Sequence, residues 1–409
     1  MAAKRRNLRP YYNHMLSDHH ACVIDGVVHA YTDGRWLSGE DGVARILAGM
    51  DLELRSNERH EVYEMLRLTA PQRAFSPARY VQFANGVLDI DTMDLEPPSP
   101  ELIVPTAIPW AWYPSAKSDA VEEYLDTLSD GNAETLAQLE EVMGAAISRV
   151  RMACFWALTS PRASAGKSQF ADVVTALVGA DNAIALDVHQ LGDHFMTVGL
   201  RNKLLCVSPD TPSSPVDPES RGILKRSCTQ DLVRADVKNR QPLDFRPFCT
   251  MLVVANSLPA LLTDEGLKRR CVPIVLTGQF PEGRRLPSDE LANERDMPAL
   301  LMHAMAGLAR LMEAGPTRGA LSDEAFGELE IASSTVEQWC DDNGVNAVSL
   351  DGETCQESYR SYASWAADSG TKALPKSAFE REVRKAFGSL SIQKCRKNGS
   401  TPQRRWVAS

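Results

Sequence analysis

Four short apolar runs in the middle of the chain constrain its fold more than any other feature of the sequence. They lack alternating polar positions and are separated by loops and helical patterns; the runs are residues 153–158, 203–207, 250–255 and 272–276. A strand without polar alternation is buried on both faces, and strands interleaved with helices commonly form a parallel sheet. The sequence therefore predicts an α/β fold with a mainly parallel sheet.

Composition excludes several other classes of protein. The chain has 409 residues, 44% hydrophobic and 24% charged, a balance typical of globular proteins. No apolar run approaches the roughly 20 residues that a membrane-spanning helix needs, and the basic N-terminus lacks the apolar stretch of a signal peptide. The nine cysteines form no CxxC pair, which favours reduced thiols over a zinc site. We therefore expect a cytoplasmic protein with no membrane partner.

Charge is distributed unevenly along the chain. The net charge is −10, but residues 372–405 contain ten basic and two acidic side chains, so this segment carries +8 and the remainder −18. A compact basic end on an acidic body is typical of a polyanion-binding module. A solvated basic tail would have the same composition, and charge alone does not decide between the two.

The order of elements in the basic end favours the binding module. A helix is predicted over residues 357–367, then a second helix to Phe387 that Ser377 or the preceding turn would cap, then a turn-containing stretch over residues 392–407. Helix, turn, helix and two-stranded ribbon is the outline of a winged helix. The candidate DNA-binding residues of this segment are Lys376, Arg381, Arg384, Lys385, Arg396 and Lys397.

Proline and glycine clusters divide the remainder of the chain. Short strands are predicted within residues 27–36 and 80–90, two amphipathic helices within 119–148, and a long helix over 294–313. The predicted division has five parts: an N-terminal α+β region 1–118, a helical collar-like segment 119–150, an α/β core 151–315, a helical linker 316–344 and a winged-helix domain 345–409.

The most informative motif is a loop that ends in Gly-Lys-Ser. Residues 161–168 follow an apolar strand and open a helix, which is the setting of a loop that binds the phosphates of ATP through backbone N–H groups. Lys167 would reach the β and γ phosphates, and the Ser168 hydroxyl would ligate Mg²⁺. The alternative is an ordinary strand–loop–helix turn. The candidate nucleotide-binding residues are Ala163, Ser164, Ala165, Gly166, Lys167 and Ser168.

The next two core strands each end in a polar residue. Asp210 supplies the carboxylate that Mg²⁺ beside the loop requires, although an Asp before Thr-Pro is also a common turn former. Asn256 could orient an attacking water, although in isolation a cap of a helix or turn is the better explanation for it. Residues 224–242, between these strands, indicate a hairpin with a basic tip.

Two arginines, Arg269 and Arg270, directly precede the last apolar run. An arginine at this place can project into the nucleotide site of a neighbouring subunit as a trans-acting finger. The alternative is a pair of solvated surface charges, which contributes little.

Taken together, these motifs resemble those of superfamily 3 helicases, and more closely the helicase half of phage, plasmid and poxvirus-type primase-helicases. The resemblance covers the chain from about Tyr80 onward and rests on the order of its segments: 83–89 with 113–116, 161–168, 204–210, 224–231, 252–256, 269–270 and the aromatic tail 359–406. It implies an AAA+-like P-loop ATPase that assembles as a homo-hexameric ring around single-stranded DNA and translocates 3′ to 5′.

The resemblance also assigns roles to individual residues. It implies that Asp210 is the Walker B acid, Asn256 the polar sensor, and Arg270, or else Arg269, the finger. Lys238 and Arg240 would lie at a pore hairpin that contacts the DNA backbone independently of sequence, as expected for cations. The departures from the family pattern are Pro161 in place of the first loop glycine, the lack of a second acid beside Asp210, and Gln230 in place of the glycine before Asp231.

Three functions are compatible with the sequence. The first is an ATP-dependent helicase for replication of a phage, plasmid or other mobile element in a bacterial cytoplasm, with a separate primase as a potential partner. The second is an ATP-gated initiator or loader that binds origin duplex with little hydrolysis, as the altered loop and lone Asp210 would favour. The third is a winged-helix regulator whose ATPase core is only a scaffold.

Overall fold

The computed structural model confirms a mixed α/β architecture with a five-stranded parallel sheet. The chain divides into two compact units, Met1–Ser322 and Asp323–Ser409; the finer five-part division stays a prediction. None of the described helices is long and apolar enough to cross a membrane. The structure describes residues 6–160, 165–209, 211, 216–237, 241–256, 264–280, 288–333, 335–371, 373–395 and 402–408.

The larger unit begins with a small α+β layer. Its elements are α1 (Arg9–Ser17), β1 (Cys22–Ile24), β2 (Val27–Thr32), β3 (Arg35–Ser38), α2 (Gly39–Met50) and α3 (Ser56–Thr69). The strands form an antiparallel sheet in the order β1-β2-β3. Apolar residues at helical spacing, including Val43, Leu47 and Leu66, lie fully buried in the core of this layer.

A second antiparallel sheet and two helices connect this layer to the centre of the unit. They are β4 (Tyr80–Phe83), β5 (Gly86–Asp89), β6 (Asp94–Glu96), α4 (Asp119–Ser129) and α5 (Ala133–Ala146). The Ser118 and Asn132 side chains cap the two helices by accepting the N–H groups of Val121 and Thr135. The strands predicted within residues 27–36 and 80–90 and the helix pair predicted within 119–148 are thus present.

The central sheet contains all four apolar runs of the sequence. The elements in chain order are β7 (Phe155–Thr159), α6 (Lys167–Val178), β8 (Ala183–Ala185), α7 (His194–Thr197), β9 (Leu205–Ser208), α8 (Pro218–Thr229), β10 (Val233–Ala235), β11 (Leu243–Phe245), β12 (Thr250–Val254), α9 (Glu265–Lys268), β13 (Cys271–Val275), α10 (Ser288–Leu291) and α11 (Met297–Ala314). The sheet order is β13-β7-β12-β9-β8, while β10 and β11 form a separate antiparallel hairpin. Because all five strands are parallel, the loops after β7, β9 and β12 lie at one edge of the sheet.

Helices α5 and α11 pack closely enough to require glycine. A Cβ on Gly144 would lie 2.4 Å from the backbone nitrogen of Leu308, and one on Gly307 would lie 2.1 Å from the carbonyl oxygen of Glu140. Helix α11 begins three residues later than the predicted start at residue 294, with Pro298 in its first turn, where proline is favoured.

The smaller unit consists of helices followed by a two-stranded ribbon. Its elements are α12 (Ala320–Ser333, which crosses the boundary), α13 (Thr335–Asp342), α14 (Ala347–Leu350), α15 (Cys355–Asp368), α16 (Lys376–Ala386), β14 (Leu390–Cys395) and β15 (Gln403–Ala408). Its core is aromatic, with the Tyr362 and Phe379 rings stacked at 4.8 Å and Trp406 donating to the Ser358 hydroxyl at 2.9 Å. The predicted order of helix, turn, helix and ribbon is present.

The structure decides between the two predicted starts of the second helix. Ser377 does not cap α16, because the N-cap position is Pro375 and Ser377 lies in the first turn. The turn before the helix therefore sets its start, which was the other predicted possibility. Proline at this position fixes φ near the value that extended backbone requires before a helix begins.

Candidate functional site

The loop between β7 and α6 is fixed at its C-terminal end by side chains distant in sequence. Gly166 has a φ of +86°, and a Cβ there would lie 2.3 Å from Cε2 of Phe280 and 2.8 Å from Cδ2 of Leu128. Glycine alone combines this backbone conformation with such a close approach. Ala163 and Ser164, both predicted to bind nucleotide, lie outside the described residues.

Lys167 begins α6, and its side chain extends toward β12. Its Nζ atom lies 3.2 Å from Oδ1 of Asn256, within hydrogen-bond distance. Strands β7 and β12 are adjacent and parallel, with Leu158 opposite Val254. The structure thus brings the lysine of the loop and the polar residue after the neighbouring strand together at the carboxyl edge of the sheet.

The first turn of α6 leaves backbone donors directed at the same edge. Its N-cap, Gly166, has no side chain with which to accept the first-turn N–H groups, and such groups favour an anionic ligand. Ser168 is exposed on this turn, while Ala165 before it is buried. Lys167 and the N–H groups of the first turn are a donor set suited to phosphate, so the described residues of the loop fit the predicted nucleotide.

Asp210 lies outside the described residues, so its role stays a prediction. Ser208 and Thr211, on either side of it in sequence, are described. Ser208 ends β9 and its hydroxyl lies 2.8 Å from that of Thr211, whose N–H donates to the Val254 carbonyl at 2.8 Å. These bonds hold Ser208 and Thr211 beside the end of β12.

Of the two residues predicted to ligate Mg²⁺, only Ser168 lies among the described residues. Among the described residues, no group of three or more His, Cys, Asp or Glu side chains could hold a metal ion. The predicted Mg²⁺ ligands are Ser168, whose hydroxyl is at the exposed end of α6, and Asp210. A hydroxyl and a carboxylate are oxygen ligands of the kind that Mg²⁺ prefers.

The two arginines lie at the opposite edge of the sheet from Lys167. They precede β13, which is parallel to β7, and the Arg270 carbonyl accepts the N–H of Phe155 at the amino end of β7 at 3.0 Å. From the first to the last residue of β7 there are four steps of about 3.3 Å, so the strand spans roughly 13 Å. Within one chain, Arg269 and Arg270 therefore do not lie beside Lys167 and Asn256.

The predicted hairpin is present, but its tip is not described. Strands β10 and β11 pair with Arg234 opposite Asp244. Lys238 and Arg240, the predicted pore residues, lie outside the described residues.

Gln230 occupies a backbone conformation that glycine would normally adopt. Its φ is +52° at the C-terminal cap of α8, which explains why glycine is usual at this position. The Gln230 amide donates to the carbonyl of Arg149 at 3.1 Å, a contact that glycine could not make. The departure from the family pattern thus has a local compensation.

Sequence reasoning did not identify the partner of Lys225. Its Nζ atom lies 2.8 Å from Oδ2 of Asp264, the residue that caps α9. Burial acts to raise the pKa of Asp264, but the Lys225 ammonium and the N–H groups at the start of α9 outweigh it and hold that pKa below its ordinary value. An Asp before a helical pattern predicts a cap, but no local signal identifies a partner 39 residues away.

In the smaller unit, the candidate DNA-binding cations are only partly described. Lys376 donates to the side chain of Gln356 at 2.5 Å, and Arg384 is exposed on α16. Arg404 pairs at 2.7 Å with Glu380, which is 5% exposed, so one of the ten counted cations is neutralised locally. The side chains of Arg381 and Lys385, and residues Arg396 and Lys397, lie outside the described residues.

Two parts of the chain match protein families. Residues 15–130 match a family described as D5 N terminal like, and residues 158–270 match a family of unknown function, DUF5906. Each match covers less than half of the chain. The first spans the N-terminal layer to the end of α4, and the second spans β7 to Arg270.

The whole chain is similar in fold to solved structures of the C-terminal region of NrS-1. An A-form apo structure has a TM-score of 0.54 at 13% identity, covering 97% of this chain and 98% of that one. Another A-form apo structure gives 0.52 at 13% identity, and a third apo structure 0.50 at 14%, each covering 99% of this chain and 100% of the other. At these identities the similarity concerns the fold.

Proposed function

We propose that the protein is an ATP-dependent DNA helicase of the superfamily 3 type that serves replication of a mobile element. The observation that carries the proposal is the contact between Lys167 and Asn256 at the carboxyl ends of adjacent parallel strands. Ligands of open α/β sheets bind at this edge. The resemblance to primase-helicases and the match to the D5 N terminal like family support the replication role.

The residues of the site would divide the work of binding and hydrolysis as follows. Lys167 and the first N–H groups of α6 would bind the phosphates, and Ser168 together with Asp210, which lies outside the described residues, would hold Mg²⁺. ATP with Mg²⁺ supplies the phosphoryl bond whose cleavage drives movement. Asn256, at hydrogen-bond distance from Lys167, would accept a hydrogen bond from the attacking water through its amide oxygen and so orient it.

The proposal needs more than one subunit. Because Arg269 and Arg270 lie across the sheet from Lys167, an arginine finger from this position serves the site of a neighbouring subunit. A closed ring, with a hexamer expected from the resemblance, gives every site such a neighbour. Single-stranded DNA would pass through the ring and contact the β10–β11 hairpin.

The smaller unit would contact DNA as a winged helix. Its order of helix, turn, helix and ribbon and the exposed Arg384 of α16 support this assignment. In such a fold, cations on the second helix bind phosphate groups, so binding weakens as salt is added.

One observation favours a second candidate. The loop begins with Pro161 and contains few glycines, which favours an initiator or loader that binds ATP and DNA but hydrolyses slowly. Such a protein would prefer one DNA sequence, whereas a motor would not.

DNA-stimulated ATP hydrolysis separates these possibilities. We expect hydrolysis by the full chain to rise with single-stranded DNA and to be lost in Lys167→Ala. Lys117→Ala, which removes an exposed lysine away from the loop, is the matched control and should retain activity. ATP-dependent DNA binding without hydrolysis would reject the motor and favour the initiator.

A further inference from the structure

Helix α8 presents two cations to a single carboxylate. In addition to Lys225 at 2.8 Å, Nη1 of Arg221 lies 3.7 Å from Oδ2 of Asp264. Residues four positions apart lie on the same face of a helix, so one face of α8 is directed at this carboxylate. Side-chain exposure of Asp264 is only 20%, so solvent screens these contacts less than at an open surface.

The other oxygen of Asp264 fixes the start of α9. Oδ1 accepts the N–H groups of Gly266 at 2.9 Å and Leu267 at 3.1 Å. A Cβ on Gly266 would lie 3.2 Å from Cε of Lys225, so the two helices approach closely here. A single carboxylate therefore determines both the start of α9 and its distance from α8.

Helix α9 leads directly into the two arginines that precede β13. It ends at Lys268, directly before Arg269 and Arg270. The Arg270 guanidinium donates through Nη1 to the carbonyl of Gly266 at 2.7 Å. Gly266 thus links the two side chains: its carbonyl accepts from the Arg270 guanidinium, and its N–H group donates to Asp264.

The C-terminal turn of α8 holds both ends of the hairpin. Asp231, before β10, donates its N–H to the Arg226 carbonyl at 2.9 Å. Arg246, directly after β11, donates to the Gln230 carbonyl at 3.1 Å. Both ends of the hairpin are therefore hydrogen-bonded to the last turn of α8.

We propose that Asp264 is a positioning residue that couples DNA contact at the β10–β11 hairpin to the orientation of Arg270. The inference rests on the proposed function, because it assigns DNA to the hairpin and nucleotide to the edge that Arg270 serves in a neighbouring subunit. The path runs from the hairpin through α8 and the Lys225–Asp264 ion pair to α9. By linkage, DNA that favours one arrangement of α9 strengthens nucleotide binding, and nucleotide strengthens DNA binding by the same factor.

The test uses Asp264→Asn in the full chain. Asparagine keeps an oxygen that caps α9 but removes the charge that holds Lys225. We expect the stimulation of ATP hydrolysis by a single-stranded oligothymidylate to fall by about tenfold, with KM for ATP in the absence of DNA unchanged. Lys225→Met should have the same effect without altering the cap, which keeps the test valid if Asp264→Asn folds poorly.

Three further variants separate coupling from general damage. Lys225→Arg preserves the ion pair and should retain stimulation, and the Asp264→Asn/Lys225→Met double variant should lose no more than either single one. Arg226→Met removes a neighbouring cation of α8 that is not directed at Asp264, and it should behave as the wild type. Full stimulation in both Asp264→Asn and Lys225→Met would overturn the inference and leave the proposed function standing.

A second measurement decides the matter if the wild type does not hydrolyse ATP. The affinity for a fluorescent non-hydrolysable ATP analogue is measured with and without the oligothymidylate. Tighter binding with DNA in the wild type, lost in Asp264→Asn, would support the coupling while rejecting the motor. Equal effects of DNA in both proteins, or no effect in the wild type, would overturn the coupling.

Discussion

Gln230 occupies a left-handed backbone conformation without the conformational freedom of glycine. Its φ of +52° is unfavourable for a residue with a Cβ, and its amide contact with the Arg149 carbonyl offsets part of that cost. The two contributions can be separated because alanine removes the contact and keeps the Cβ, while glycine removes both.

We expect Gln230→Gly to be more stable than Gln230→Ala by about 1 kcal/mol. Both variants lack the amide, so the difference isolates the backbone conformation. Urea unfolding of the two variants measures it, with equal m-values showing that the same transition is compared. Equal midpoints would mean that the C-terminal turn of α8 relaxes away from the left-handed conformation.

The residues that the sequence could predict are those with local signals. Gly166 and Lys167 stand between an apolar strand and a helix, and Asn256 directly follows another apolar strand. The sequence could not predict that Phe280 and Leu128 pack on Gly166, because nothing near either residue indicates that contact. Such contacts depend on the tertiary path of the chain rather than on spacing.

At the level of the elements, a partly buried polar network joins α4, α5 and α11. His303 of α11 lies 2.6 Å through Nδ1 from Glu140 of α5 and 3.1 Å through Nε2 from Glu122 of α4. Arg310 also donates to Glu140. Both ring nitrogens face carboxylates, which favours the protonated imidazole. The pKa of His303 is therefore raised above its ordinary 6.5, and the hydrogen bond to Glu140 is the main cause.

This network should make stability depend on pH. A raised pKa means that the folded state holds the His303 proton more tightly, so its stabilisation is complete below pH 6.5 and is lost as the pH rises through the folded pKa. Burial acts to raise the pKa of Glu140, but His303 and Arg310 hold it below 4.5, so its own contribution is lost only as the pH falls through that lowered value.

We therefore expect His303→Gln to flatten the decline in stability above pH 6.5. Glutamine keeps a donor for Glu140 but cannot carry the charge. Thermal unfolding as a function of pH measures the effect, and His60→Gln, which removes an exposed imidazole from α3, is the matched control. An unchanged slope in His303→Gln would show that the imidazole is neutral in the folded state.

The elements themselves were largely predictable from periodicity. The helix pair α4 and α5 lies within the predicted range 119–148, and each helix begins directly after a strong cap, Ser118 and Asn132. The parallel order of the sheet follows from apolar runs interleaved with helices, but its order β13-β7-β12-β9-β8 does not, because the crossovers leave no local pattern. The pairing of Arg404 with buried Glu380 was likewise hidden in the charge count.

At the scale of the whole molecule, the position of the arginines predicts that activity is shared between subunits. A mixture of inactive Lys167→Ala and Arg270→Ala chains should recover activity at up to about a quarter of its sites, because an intact Lys167 then meets a neighbour's intact Arg270. ATP hydrolysis after mixing measures the recovery. Arg295→Ala, an exposed arginine before α11, should be active alone.

Failure of the mixture to exceed the sum of its parts would assign Arg270 to the structure of its own subunit. The same experiment with Arg269→Ala decides which of the two arginines acts. The finger is the arginine whose alanine variant is inactive alone but recovers activity when mixed with Lys167→Ala. The alanine variant of the other arginine should be fully active alone.

Unwinding of DNA is the decisive measurement for a helicase. We expect the protein with ATP and Mg²⁺ to separate a duplex bearing a single-stranded 3′ tail, but not one bearing a 5′ tail, and we expect Lys167→Ala to separate neither. Stable ATP-dependent binding of these substrates without strand separation would contradict a translocating helicase and leave an initiator or loader in its place.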